Sequence, residues 1–320
     1  MKIIKSSVEI LPQKPGVEGM YKLIERVARC SYKSEDKISE DSYKKFNDMI
    51  YNRGHWAVFN LGTVYLKVPN RDHCPELLTL ISRPYNAWTK WEEKDEMFYV
   101  TTNYRVICQA GLQEFMEKYW CEPTEYHYHR VTTHWICSRS IGNELVRHRI
   151  LCPVQESTRF INYHRGKFNS ELTYILPQWI YRVRDNIADT IDSLTGESRE
   201  YIKDLDGQEL WDTLCCYDRT VASRNRFWKA AEEEYMYEVT ADEGEKLKAE
   251  EARDSLPLGL KTEICMTGFV EDFYYVPKPD TKEKAGFFFL RSANDAHPDI
   301  KVLSDSLMKQ FEEKGIDKLK

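Results

Sequence analysis

Glu144-Leu145-Val146-Arg147-His148-Arg149-Ile150-Leu151-Cys152-Pro153-Val154-Gln155-Glu156-Ser157-Thr158-Arg159-Phe160 is the densest concentration of chemically useful side chains in the chain. Spacing predicts a helix through Leu145–Leu151, around which Arg147, His148 and Arg149 wrap most of the way, so at least one of the three faces protein or ligand rather than water. Pro153 cannot continue a helix and biases its surroundings to extended backbone, where Gln155, Ser157 and Arg159 project to one side with a period of two. A serine hydroxyl, loop N–H groups and an arginine fork suit charge-assisted bonding to a phosphate ester. The same composition also suits a solvated basic helix with carboxylate partners of its own.

Upstream of this stretch, Val131–Cys137 reads as a strand followed by a turn near Gly142, and downstream a second strand covers Leu172–Leu176. The chain opens with a strand through Ile3, Ile4, Val8 and Ile10. A helix over Met20–Cys30 follows, with Leu23, Ile24, Val27 and Ala28 at helical spacing, then a helix over Ser39–Tyr51 and a strand at Val64–Val68. Further signals predict a helix at Leu77–Ile81, a strand at Met97–Thr101 and a helix at Arg105–Trp120. Residues 181–250 are polar and charge-rich, compatible with helices at Asp204–Cys216 and Arg226–Val239 that hold a solvated face. Glu243–Glu251 leads a helix that stops at Pro257, Asp299–Glu313 is a closing amphipathic helix, and Val276–Gly286, with its two prolines, reads as an inserted loop. The expectation is an α+β fold: a mixed or antiparallel sheet flanked by helices, in one domain over residues 1–320 with inserted segments near 70–95, 180–240 and 276–286.

Composition narrows the partners. Lys plus Arg number 46 against 52 Asp plus Glu, a net charge of −6, which gives no global field to hold nucleic acid or an anionic membrane; an anionic partner must meet a local basic cluster. No apolar run approaches the ~20 residues that span a bilayer, and the N-terminus lacks a signal-peptide core. The nine cysteines are scattered, with no disulfide framework, and suit reduced thiols in a cytoplasmic protein. Cys121, His127 and His129 come nearest to a metal cluster, but so short a polar stretch reads as a surface loop, and no metal is expected.

Arg147-His148-Arg149 followed by Gln155-Glu156-Ser157-Thr158-Arg159 resembles the signature of flavin-dependent thymidylate synthases. Further landmarks of that family recur in its order: the opening Met1–Val8, Gly54-His55 before a strand, Thr102-Asn103-Tyr104-Arg105, Asn162-Tyr163 with Lys167-Phe168, Ala252-Arg253 before Leu256-Pro257 and Lys261-Thr262-Glu263, and Leu290-Arg291 before Ala296-His297-Pro298. Ordered landmarks over roughly residues 1–310 are far more specific than one motif.

The resemblance implies reductive methylation of dUMP at C5, with FAD carrying electrons from NADPH and methylenetetrahydrofolate giving the carbon, in a homotetramer whose active sites lie between subunits. Arg291 matches the family's nucleobase-activating arginine. By the same likeness Glu144, Arg147, Gln155, Ser157, Thr158 and Arg159 hold dUMP, with Arg253 from a neighbouring subunit, while His55, Arg147, His148, Arg149 and Gln155 meet FAD. The chain departs from the family's pattern at Cys152, at Asn60 and Leu61, and at Phe269-Val270-Glu271, where an anion stands in place of a cation that meets the FAD adenosine; substitute contacts from the inserted segments are expected. Two other readings stay open: a related pyrimidine nucleotide modification such as hydroxymethylation, and a nucleotide-binding protein without catalysis.

Overall fold

The computed structural model describes residues 1–70, 74–82, 84–168, 170–190, 196–274 and 286–316. Their strands are β1 (Lys2–Ile4), β2 (Ser7–Leu11), β3 (Thr63–Pro69), β4 (Lys90–Lys94), β5 (Met97–Asn103), β6 (Arg130–Ser138), β7 (Val154–Gln155), β8 (Thr173–Ile175) and β9 (Lys261–Phe269). They form an antiparallel sheet in the order β2-β6-β9-β7, an antiparallel sheet in the order β3-β5-β4, and a parallel pair β1-β8. The α+β expectation therefore holds, as helices packed on mainly antiparallel sheets. The opening strand divides between Ile4 and Ser7, and its two halves join different sheets.

The central ladder is the register of β6 with β9, from Arg130 opposite Phe269 to Ser138 opposite Lys261. Alternation sorts its side chains. Val131, Trp135 and Cys137 with Ile264 and Met266 build a core against Phe287, Phe288 and the helix Pro298–Glu313. Cys265 faces the opposite side, where Leu23, Val27 and Cys30 of the helix Gly16–Tyr32 cover it. β9 itself escapes the sequence reading because it is buried along most of its length on both faces, so no polar and apolar alternation marks it.

Four boundaries differ from expectation. Gly142 lies inside the helix Arg139–Leu145 rather than in a turn, because Ser138 Oγ accepts from Ile141 N at 3.3 Å and starts the helix directly from β6. That helix stops where the next was expected to begin: Arg147 N bonds Glu144 O and His148 N bonds Leu145 O, three residues back, and the chain tightens into the 3₁₀ turn Arg149–Leu151. Arg105–Trp120 is two helices, Tyr104–Ala110 and Gln113–Tyr119, parted by Gly111 at φ 68°. Of Glu243–Glu251, only the short helix Ala249–Ala252 forms at its end. Within the expected insertion Val276–Gly286, residues 276–285 lie outside the described residues. Among the described residues no helix is long and apolar enough to cross a membrane.

The charge-rich segment does more than hold a solvated face. Its helices Trp179–Thr190, Gly196–Asp204, Gly207–Tyr217 and Arg219–Thr240 turn Ile180, Leu210, Trp211, Leu214, Val221 and Trp228 onto the β1-β8 pair. Trp228 stacks between Tyr174, 4.5 Å between ring centroids, and Trp211, at 4.9 Å. A Cβ on Gly259 would come within 2.4 Å of Trp228 Cζ2, so glycine lets the chain pass the stack. Trp228→Ala should cost about 3–5 kcal/mol in urea unfolding; a cost below about 1 kcal/mol would show that this layer contributes little to the fold.

Candidate active site

Three of the expected site residues meet although two stretches of chain far apart in sequence carry them. Glu144 stands near the end of the helix Arg139–Leu145, His148 in the turn after it, and Arg291 ends the helix Phe287–Arg291. Arg291 Nε donates to His148 Nε2 at 2.8 Å and Nη1 donates to Glu144 Oε2 at 2.7 Å, while Nη2 lies 3.4 Å from the Glu144 carbonyl. With Nε2 accepting, the ring proton of His148 sits on Nδ1. Burial and the Arg291 charge hold His148 down to about 4, so at neutral pH it is an uncharged acceptor. Phe287 fixes the ring edge-on at 4.9 Å, and Phe287 is itself buried against Trp135 and Phe273.

After Pro153 the chain is extended only over Val154–Gln155, paired with Cys265 and Ile264 of β9. Gln155 Nε2 donates to Thr262 Oγ1 at 3.2 Å and lies over Gly142, where a Cβ would stand 2.8 Å from it. The expected comb of Gln155, Ser157 and Arg159 does not continue as a strand. Ser157 Oγ accepts from Arg159 N at 3.2 Å, and this local bond tightens the backbone into a turn. Thr158 is buried; Arg159 is exposed, stacked on Phe160 with Glu250 at 3.8 Å. Phe160 in turn packs 5.9 Å from Tyr32, whose hydroxyl is 2.9 Å from His55 Nδ1, so the exposed His55 reaches the end of the signature through two rings. Arg147, Arg149 and Arg253 are exposed and make no ion pair among the described residues.

Residues 123–314 match the family model of thymidylate synthase complementing proteins, Thy1. The chain belongs to this family. Among solved structures it is similar to a UMP/dUMP methylase, PolB, from Streptomyces cacaoi: in the complex with 5-Br dUMP, at 13% identity over 98% of this chain and 93% of that one, with a TM-score of 0.38. In the complex with 5-Br UMP the values are 12%, 98%, 91% and 0.38. No curated protein matches the sequence.

What the sequence did not reveal in this Thy1 chain is the ionic network behind the signature strand. Glu156 is buried and accepts from Lys261 Nζ at 3.0 Å and from Tyr163 Oη at 3.3 Å, with Lys33 Nζ at 3.6 Å. Lys33 and Lys261 also pair with Glu263, whose second oxygen is 2.9 Å from His134 Nε2. Burial works against the Glu263 carboxylate, yet His134, Lys261 and Lys33 outweigh it and hold the group far below the usual carboxylate range. A signal was present: Lys261-Thr262-Glu263 leads straight into the apolar Ile264-Cys265-Met266, which marks charges on a buried strand.

Cavities of about 720 Å³, lined by residues including Tyr21, Tyr43 and Tyr104, and about 540 Å³, lined by residues including His129 and Arg130, contain none of the expected site residues. Of those residues His55, Arg147, Arg149, Arg159 and Arg253 are exposed. For an anionic cofactor the fit is favourable: Arg147 and Arg149 present two cations with no carboxylate partner among the described residues, on a turn that Cys152 closes at φ 46°. The acidic Glu271 is neutralised by Lys90, which also stands over the Phe269 ring at 4.5 Å. Lys90 opens strand β4, which places a cation beside this stretch.

His148 has a measurable pH signature. Its folded-state pKa, about 4, lies below the ordinary 6.5. Above 6.5 both folded and unfolded chains carry it neutral. As pH falls toward 4 the unfolded chain takes up a proton that the folded chain refuses, so stability drops by about 3 kcal/mol through that window. Urea midpoints measured from pH 7 to 4 should fall less steeply in His148→Asn than in the parent; parallel curves would contradict the burial of a neutral His148.

Proposed function

We propose that this chain forms dTMP from dUMP by reductive methylation at C5, with methylenetetrahydrofolate as carbon donor, NADPH as reductant and FAD bound beside the nucleotide. Family membership supports the reaction class, and the observation that carries the assignment to these residues is the contact of Arg291 with both Glu144 and His148. C5 of uracil is a weak nucleophile until negative charge can accumulate on the ring, and a fixed cation beside N3 and its carbonyls lowers that cost. Glu144 and the neutral His148 hold two edges of the Arg291 guanidinium, which leaves the loosely bonded Nη2 edge to meet a pyrimidine carbonyl. Because His148 is uncharged, it orients the cation without competing with it.

Gln155, Ser157, Thr158 and Arg159 then bind the sugar and phosphate of dUMP, with Arg147 and Glu144 from the turn before them and Arg253 from a second subunit. His55, Arg147, His148, Arg149 and Gln155 hold FAD, which when bound supplies the reducing equivalents. The exposure of Arg147, Arg149, Arg159 and Arg253 supports a site completed by another copy of the chain, as in a homotetramer. Residues 1–320 act as one unit, with the 180–240 helices as a packed outer layer.

Arg291→Ala should retain flavin and lose dTMP formation; unchanged turnover would refute the role. In the companion arm, Ser157→Ala with Arg159→Ala should weaken dUMP binding by several kcal/mol, since hydrogen bonds to charged groups contribute about 1.5–3 each. Unaltered affinity there would place the nucleotide elsewhere.

A further inference from the structure

On the face of the central sheet covered by the helix Gly16–Tyr32, four metal-ligating side chains converge from three elements. Cys30 comes from that helix, His134 from β6, and Glu263 and Cys265 from β9. His134 and Cys265 are direct partners in the antiparallel register, and Glu263 lies two residues back on the same face of its strand. The ligand atoms of Cys30, His134 and Cys265 all lie within 4.8 Å of one another, and these three residues are buried. Cys30 Sγ is 3.7 Å from His134 Nε2 and 3.2 Å from Glu263 Oε2, and that oxygen is 2.9 Å from His134 Nε2. A tetrahedral zinc site with bonds of 2.0–2.3 Å has edges of about 3.3–3.8 Å, so the contacts of Glu263 with Cys30 and His134 need to open by a few tenths of an ångström to admit the ion, with Cys265 within 4.8 Å of Cys30 and His134.

We infer that Cys30, His134, Glu263 and Cys265 form a closed, four-coordinate structural zinc site. Two further observations fit this reading. His134 Nδ1 lies 3.0 Å from Glu9 Oε1, the carboxylate-to-imidazole contact that orients Nε2 of a ligating histidine; Glu9 stands opposite His134 in the β2-β6 register. Two thiolates and one carboxylate around Zn²⁺ leave one net negative charge, and Lys33 and Lys261 already hold the other oxygen of Glu263. Thiolate and imidazole donors select zinc over the oxygen-seeking Mg²⁺ and Ca²⁺. Each cysteine gives up its thiol proton to solvent on binding, and no redox change is involved.

The cluster considered in the sequence offers no such site: Cys121 Sγ is 3.7 Å from His127 Nε2, but both ring nitrogens of His127 are engaged, with Thr124 and with the Leu66 carbonyl. The four residues proposed here are spread from position 30 to 265, so no local spacing announces them. Neither the site nor the methylation reaction requires the other, and the two fail separately.

The full chain, stripped with a chelator, should bind about one equivalent of Co²⁺ with a thiolate-to-cobalt charge-transfer band, and Zn²⁺ should displace it. Cys265→Ala should abolish the band, while Cys137→Ala, on the opposite face of the same sheet, should keep it. Zn²⁺ should also protect Cys30 and Cys265 of the parent chain from alkylation, read by peptide mass. This measurement needs no variant to fold. Absence of the band, an unchanged band in Cys265→Ala, or alkylation of both cysteines regardless of Zn²⁺ would overturn the inference.

Discussion

The carboxylate of Glu156, buried and shared among Lys33, Lys261 and Tyr163, is the contact on which the arrangement of the signature depends. It joins the end of the first long helix, strand β9 and the short β7 at one point. Burying charges is costly, and removing one partner leaves the others uncompensated, at about 3–5 kcal/mol. That cost forces a choice of side. With Glu156 committed inward, Gln155 directs its amide to Thr262 and Ser157 stands half-buried in the turn that follows the strand.

Around this anchor the cations divide into two classes. Lys33, Lys261 and Arg291 are partnered by carboxylates within the chain, which fixes their positions before any ligand arrives. Arg147 and Arg149 have no such partner among the described residues, and they flank the turn that carries His148. A rigid, neutralised interior supporting a surface of uncompensated cations is suited to anionic ligands, because the positive potential is not spent inside the chain. The same logic explains how the acidic Glu271 is tolerated: Lys90 of β4 cancels it.

Much of the scaffold was legible in the residues. Leu23, Ile24, Val27 and Ala28 mark their helix because one face alone is apolar, and β6 shows through its β-branched and aromatic run. β9 did not show, since its polar Thr262 and Thr267 are buried beside its apolar residues. The helix drawn through Leu145–Leu151 was displaced upstream because the cap at Ser138 was not recognised and the tight bonds after Glu144 carry no strong local signal. The apolar residues of 180–240 were outnumbered by charges, although Trp211 and Trp228 decide its packing. The meeting of Arg291 with Glu144 and His148 could be anticipated only through family likeness: no spacing rule links positions so far apart. The buried Lys33, Glu156 and Glu263 network, and the Cys30, His134 and Cys265 group, arise from sheet register and helix docking that the linear sequence does not display.

The absorbance spectrum of the purified chain, taken before and after anaerobic NADPH in the presence of dUMP, bears most directly on the claim that this surface holds a redox cofactor beside a pyrimidine nucleotide. The account predicts an oxidised flavin band that bleaches on reduction and, with methylenetetrahydrofolate added, a pyrimidine product heavier by one methylene. A colourless protein that takes up no FAD, or a flavin that stays oxidised while dUMP is left unchanged, would contradict it.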